Sequence, residues 1–278
     1  MAPKSLLLLP PIHLSGCMFA AIIRDTRGVT LSDEDRINYF PASPLVAVTH
    51  VIEGELRMVP SDGAQVSTHH AEPIPQQSVS LSQDTPLTSW SPGPVAAVTI
   101  GFFPDAWTKL TAELAEQSIL AALAKAFGSA PQIENFETCW ETFCAAISAD
   151  WDRARATGGL ADWSGSTRLT DWSRSLMTRA ALAGSGRSIR AVERRLKRWS
   201  RQSGRSLKFY ADVDNLHRLS VRARDEPLAA IATDAGYADQ SHMGRAVRRV
   251  TGFSPAHLNR LIDTKEAFWC YRLLGERF

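Results

Sequence analysis

The sequence is poor in cysteine and has no long apolar run. Its four cysteines are scattered among 278 residues without a C-x-x-C pair, whereas a structural zinc site uses closely spaced Cys or His ligands. The run Leu6–Leu9 stops at Pro10. It is therefore shorter than the ~7–15 residues of a signal-peptide core or the ~20 residues of a membrane span. We expect a cytoplasmic protein with reduced thiols, no metal, no other cofactor and no membrane partner.

The net charge is also small, +2, but it is unevenly distributed. Residues 1–167 hold 9 basic and 18 acidic side chains, whereas residues 168–278 hold 22 basic and 11 acidic ones. Such asymmetry indicates a nucleic acid or another anionic partner for the basic part. The acidic part should avoid DNA, and we expect it to fold back on the basic part as an off-state that salt weakens.

The pattern along the chain predicts an α+β protein in four parts. Residues 1–104 are predicted to form a mostly β regulatory domain, because short apolar runs alternate with Pro and Gly. Residues 105–157 predict a helical pair, and the Gly- and Ser-rich residues 158–168 predict a linker. Residues 169–278 predict an all-helical domain that carries the positive charge.

In the β part, strands are predicted in Leu45–Val59, where Gly54 would form a tight turn, and at Ser78–Ser82 and Val95–Phe103. Six aromatic residues could line a ligand pocket or belong to the core: Phe19, Tyr39, Phe40, Trp90, Phe102 and Phe103.

The helical pair is predicted over Asp105–Phe127 and Ile133–Arg155. Large apolar residues recur every three or four positions in the second helix, at Phe136, Trp140, Phe143 and Ile147. This stripe predicts either a dimer seam or packing inside the monomer, and the sequence leaves both open.

Two stretches of the basic part predict helix-turn-helix units. In the second unit, Pro227 suits the first turn of a helix, Gly236 ends that helix, and Asp239 is an N-cap for the next. In the first unit, a helix over Leu169–Leu182 is followed by Gly184 and Gly186 in a turn, then by Ser188 as the cap of a helix to about Arg201. A further helix is predicted near Leu207–Arg222.

The stretch from Ile231 to Pro255, I-A-x-x-A-G-Y-x-D-Q-S-H-M-x-R-A-V-x-R-x-T-G-F-S-P, resembles the signature of AraC/XylS-family transcription regulators. The segment S-I-R-A-V-E-R-R-L from Ser188 matches the family pattern of the first unit, 51 residues upstream. The resemblance covers residues 169–262, and residues 1–104 are loosely similar to the family's cupin-like sensor domains.

The resemblance implies a sequence-specific DNA-binding regulator rather than an enzyme, with double-stranded DNA as partner. A small-molecule effector, a second copy of the chain and RNA polymerase are further candidate partners. Carried over position by position, the base-contacting residues would be Arg190, Glu193, Arg194, Gln240, Ser241, His242 and Arg245. The phosphate-contacting residues would be Lys197, Arg198, Arg201, Arg248 and Arg249.

Three residues of the second unit depart from the family pattern. Met243 and Val247 stand where Phe is usual, so the core is less aromatic. Gly244 lies inside the second recognition helix, where Gly costs roughly 1 kcal/mol relative to Ala.

Alternative functions depend on the β part. A cupin enzyme would draw its metal ligands from His50, His69, His70, Glu53, Glu55 and Glu72, but no H-x-H cluster is present. A DNA-repair methyl acceptor of the Ada type would need clustered cysteines, and Cys17 stands alone. Two hypotheses remain: the β part senses an effector, or it only dimerises or docks a protein partner.

Overall fold

The computed structural model describes residues 2–60, 68–128, 132–156, 165–184, 188–222 and 226–275. A β domain comes first, three helices pack against it, and a helical C-terminal domain follows, which confirms the α+β class. The predicted linker lies largely outside the described residues, as does Gly186.

Within the described ranges, nine strands form two antiparallel sheets. They are β1 (Lys4–Leu8), β2 (Met18–Asp25), β3 (Ile37–Phe40), β4 (Val46–Glu53), β5 (Arg57–Met58), β6 (Glu72–Pro73), β7 (Gln77–Ser80), β8 (Leu87–Trp90) and β9 (Ala96–Phe102). The larger sheet has the order β1-β2-β9-β4-β7, and the smaller has the order β3-β8-β5-β6.

Gly54 separates two sheets rather than the arms of a hairpin. Its φ of +86° is open mainly to glycine, and a Cβ there would lie 2.3 Å from the Pro94 carbonyl oxygen. The strand before it, β4, pairs with β7 and β9, whereas β5 pairs with β6 and β8 in the other sheet. The predicted strands are present, but the tight turn between them is a crossing between sheets.

Three helices follow: α1 (Pro104–Glu113), α2 (Glu116–Phe127) and α3 (Phe136–Ala156). The first predicted helix is thus interrupted at Leu114 and Ala115, whose backbones are not helical. The proposed dimer stripe of α3 is buried within the chain, since none of its four side chains exceeds 5% exposure. It belongs to the core between the larger sheet and the helices, so it cannot serve as a dimer seam.

The C-terminal domain contains α4 (Leu169–Leu182), α5 (Ile189–Ser200), α6 (Gly204–Arg222), α7 (Leu228–Asp234), α8 (Gln240–Thr251), α9 (Pro255–Thr264) and α10 (Trp269–Leu274). The first unit shares one apolar core with the β domain. It contributes Trp172, Leu176 and Leu196 to that core. The second unit has its own core, which takes in Ala42 of the β domain.

The β domain contacts the second unit through strand β3 and the loop after it. The ring of Tyr39 stacks on Phe268 with 4.6 Å between centroids, and Asn38 accepts a hydrogen bond from the Trp269 indole at 2.7 Å. The Ala42 amide donates to the Val250 carbonyl at 2.7 Å. The two parts of the chain therefore pack together, as the charge asymmetry suggested. They do so through apolar and hydrogen-bonded contacts and through ion pairs such as Arg24–Glu266.

Candidate DNA-binding surface

The first helix-turn-helix unit is formed by α4 and α5. Gly184 in the turn adopts a φ of +92°, and the Ser188 side chain accepts a hydrogen bond from the Ala191 amide at 3.3 Å. This cap satisfies one of the free amides at the start of α5. Leu196 faces inward and is 1% exposed, so the opposite face of α5 is left to solvent.

The second unit, formed by α7 and α8, follows the predicted scheme. Gly236 has a φ of +83°, and the Asp239 carboxylate accepts from the His242 amide at 2.6 Å. Met243 and Val247 are fully buried, so these smaller replacements for Phe still form the inner face of α8. Pro227 differs slightly from the prediction because it is the N-cap of α7 rather than its first residue.

The two recognition helices, α5 and α8, are structural repeats at an offset of 51 residues. Each has 12 residues, and each begins at a side chain that caps the amide three positions later. Each ends at a left-handed residue, Arg201 with φ 58° and Gly252 with φ 83°. The offset pairs each position of α5 with one position of α8, for example Ile189 with Gln240 and Arg194 with Arg245.

The outward faces of both helices carry exposed cations. They are Arg190, Arg194, Lys197, Arg198, Arg201, Arg245, Arg248 and Arg249. Apart from Arg249, these side chains make no hydrogen bond, ion pair or ring contact within the described part of the chain. Clustered cations without acidic partners repel one another, and a phosphate backbone removes that penalty.

Glu193 is oriented differently from the other predicted base-contacting residues. Its carboxylate accepts from the Gly204 amide, at 3.2 and 3.3 Å from the two oxygens, and so caps the start of α6. A Cβ at Gly204 would lie 2.8 Å from that carboxylate. The second unit has no equivalent of this hydrogen bond. Under the 51-residue offset, Gly244 replaces Glu193 and has no side chain, while Pro255 replaces Gly204 and has no amide hydrogen.

Two further predicted contact residues touch neighbouring rings. The Arg249 guanidinium lies 4.2 Å from the centroid of the Phe209 ring on α6, a cation–π contact between helices. The exposed His242 ring meets Tyr237 edge-on at 5.2 Å, and burial raises the pKa of Tyr237 to about 12. Gln240 and Ser241 are exposed at the start of α8.

One arginine of α5 that the sequence analysis did not single out has a structural role. Arg195 donates to the Ala180 carbonyl at 2.9 Å and thereby ties α5 to α4. It lies off the outward face, so helical spacing from Arg190 and Arg194 was the signal that could have separated it from the contact residues.

A buried carboxylate joins the first unit to the helices of the β domain. Asp105, in the first turn of α1, accepts from the Trp172 indole at 2.7 Å and forms an ion pair with Arg179. Asp105 is 2% exposed, and Phe103 stacks on Trp172 with 5.3 Å between centroids. The β domain therefore contacts both units while the outward faces of α5 and α8 stay exposed.

The histidines considered as metal ligands lie in different elements and differ in burial. His50 is buried in β4, whereas His69 and His70 are exposed in a short 3₁₀ turn. Among the described residues, no group of three His, Cys, Asp or Glu side chains is placed to hold a metal ion. No helix among them is both long and apolar enough to cross a membrane.

The six aromatic candidates for a pocket are mostly engaged elsewhere. Phe102 and Phe103 are fully buried in the core, and Phe19 meets Phe103 edge-on. Tyr39 and Phe40 contact Phe268 and Trp269 of the C-terminal domain. Trp90 is half-buried in β8, with an indole nitrogen that has no hydrogen-bond partner among the described residues.

Residues 182–260 match the family model of a helix-turn-helix domain, and the match spans both recognition helices. The C-terminal part of the chain therefore contains a helix-turn-helix domain, as the sequence predicts. The chain is a DNA-binding transcription regulator, the interpretation that the sequence favoured over an enzyme. No curated protein matches the sequence.

Solved structures of ToxT from Vibrio cholerae are similar to the chain at low identity. The 1.65 Å resolution structure is 8% identical, with 92% of this chain and 97% of that chain covered and a TM-score of 0.39. ToxT bound to (E)-4-(8-methylnaphthalen-1-yl)but-3-enoic acid is 9% identical, with coverage of 92% and 98% and a TM-score of 0.37. Since the TM-scores are below 0.5, this likeness carries no weight for the function of the chain.

Proposed function

We propose that the regulator binds operator DNA by placing α5 and α8 in two successive major grooves on one side of the duplex. In helix-turn-helix proteins the N-terminal residues of the recognition helix meet base edges. The observation that carries the proposal is the repeat itself. Two helices of equal length, each capped by a side chain, expose cations that, apart from Arg249, have no partner within the described part of the chain.

The proposed base contacts follow from the chemistry of the exposed side chains near each helix start. Arg190, Arg194 and Arg245 suit guanine, since a guanidinium can bond to both O6 and N7. Gln240 suits adenine, while Ser241 and His242 are less selective. Glu193 could accept from cytosine only by leaving the Gly204 amide, so we assign it to capping of α6.

The remaining cations, farther along each helix, are proposed to contact phosphates and fix the register of the complex. They are Lys197, Arg198, Arg201, Arg248 and Arg249. The Phe209 ring already holds the Arg249 guanidinium in place. Binding of phosphate by Arg249 would therefore cost less side-chain conformational entropy.

Selection from a pool of random duplexes tests the proposal with the full-length chain at moderate salt. We expect an enriched motif with two half-sites about one helical turn apart. A matched variant with Arg194→Ala and Arg245→Ala should retain weak non-specific binding but lose the enrichment. Absence of any enriched motif for the unmodified chain would overturn the proposal.

We propose in addition that the β domain senses a small effector. Its support is the double attachment of the β domain, through Asp105 to the first unit and through Tyr39 and Asn38 to the second. A change inside the β domain would thus reach both recognition helices. A heat-stability screen against cell metabolites checks this, and no shift with any compound would favour the docking-only alternative.

Self-association and contact with RNA polymerase stay candidate interactions. A dimer would need a surface other than the α3 stripe, which is buried in the monomer. Light scattering of the full-length chain, free and with a selected duplex, measures the assembled mass directly.

A further inference from the structure

Ile189 is the first residue of the recognition helix α5, and its side chain is 83% exposed. It is much more exposed than Met177 and Leu182, the other large apolar side chains at the surface of the first unit, at 43% and 56%. A β-branched residue is not favoured in a helix, and this one fills no core position. Nothing in the packing of the domain requires isoleucine here.

The repeat shows what this position faces. Under the 51-residue offset, Ile189 corresponds to Gln240, because each directly follows its capping residue, Ser188 or Asp239. Each cap accepts from the amide three positions later, so the two residues occupy the same position in the first turn of their helices. The first unit therefore presents an aliphatic group where the second presents an amide.

We propose that Ile189 is a specificity-determining residue that contacts the C5-methyl group of a thymine; the inference rests on the proposed insertion of α5 in the major groove. The major groove presents that methyl group only at thymine, and apolar side chains recognise it. Exposed Arg190 and Arg194 beside Ile189 hold this end of the helix against the DNA. At the equivalent position of the two half-sites, the first unit thus recognises thymine through Ile189 and the second recognises adenine through Gln240.

The test replaces each thymine of the selected duplex, one at a time, with deoxyuridine, which lacks only the methyl group. For the unmodified chain we expect one replacement in the first half-site to weaken binding about fourfold, the effect of one methyl group returned to water. With Ile189→Ala, the same replacement should have no effect. Arg198→Gln is the matched control and should keep the fourfold ratio.

A residue swap gives a second measurement. Selection with Ile189→Gln should change the preferred base at that one position from thymine to adenine and leave the rest of the motif unchanged. Both variants should melt at the temperature of the unmodified chain, since the side chain is mostly exposed.

The outcomes separate this inference from the proposed function. An enriched motif without a methyl-sensitive thymine, or a methyl sensitivity that survives in Ile189→Ala, would overturn the role of Ile189 while leaving DNA binding intact. Either of these two results would assign the exposed isoleucine to a contact with a protein partner instead. No enriched motif at all would overturn both.

Discussion

The Asp105 carboxylate accepts a hydrogen bond from the Trp172 indole at 2.7 Å and faces the Arg179 guanidinium, so that one buried acid joins α1 to the first helix of the DNA-binding domain. The side chains of Asp105 and Arg179 are only 2% and 7% exposed. If one charge of such a buried pair is removed, the other stays buried without compensation, which strongly destabilises the fold.

Asp105→Asn should lower the free energy of unfolding by about 3 kcal/mol, because it leaves the Arg179 charge buried opposite a neutral group. Urea unfolding measures the change. Asp171→Asn is the control, since the Asp171–Arg174 pair is exposed and should contribute less than about 0.5 kcal/mol. Equal effects of the two variants would mean that the buried pair does not couple the domains.

Glu193→Ala should lower the free energy of unfolding by about 1 kcal/mol, the usual effect of losing a capping side chain. The base preference of the regulator should not change, because the carboxylate is held at the Gly204 amide. Unfolding and duplex selection are measured on the same variant. A changed preference at a cytosine position would instead restore Glu193 to the base-contacting set.

Arg194→Ala should weaken binding to the selected duplex by ~1–3 kcal/mol and relax the preference at one base pair. Arg198→Ala should weaken selected and random duplexes alike and flatten the dependence of affinity on salt. Titrations of both duplexes at several salt concentrations distinguish the two. Equal losses on both duplexes for Arg194→Ala would contradict its role at a base.

Arg201→Gly should raise the free energy of unfolding by roughly 0.5–1 kcal/mol. Arg201 holds the left-handed conformation that its repeat partner Gly252 adopts without strain. If its guanidinium also binds phosphate, the slope of log affinity against log salt should fall by ~0.9. A stabilised variant with an unchanged slope would remove Arg201 from the phosphate contacts.

His50 should make the protein less stable in weak acid. Burial lowers the pKa of His50 below its ordinary value of 6.5 by more than the neighbouring Gln76 backbone raises it. Neither ring nitrogen has a hydrogen-bond partner among the described residues. The unfolded chain therefore binds the proton more readily, so stability is fully present above about pH 6.5 and falls as the pH drops towards the folded pKa.

Unfolding free energies between pH 7.5 and about 5 check this expectation. His50→Gln cannot take up the proton, so its stability should depend less steeply on pH than that of the unmodified chain. Parallel curves for the two proteins would show that other groups cause the loss.

The two recognition helices could be predicted from the sequence almost to the residue. Ser188 and Asp239 cap helices that begin directly after them, and Gly184 and Gly236 adopt the positive φ expected of the turns. These features are local: a cap, a turn and the spacing of apolar residues act within a few positions of one another. The cation-bearing faces followed from the same periodicity.

Tertiary structure decided which groups a side chain contacts when its partner lies far away in the sequence. The α3 stripe was compatible with a dimer seam, and only the sheet that covers it makes it core. Tyr39 could have lined a pocket, but Phe268, 229 residues later, stacks on it. Glu193 looked like a base-contacting residue until α6 placed the Gly204 amide beside it. Helical periodicity assigns a residue to a face, whereas the group that meets that face depends on how distant segments pack.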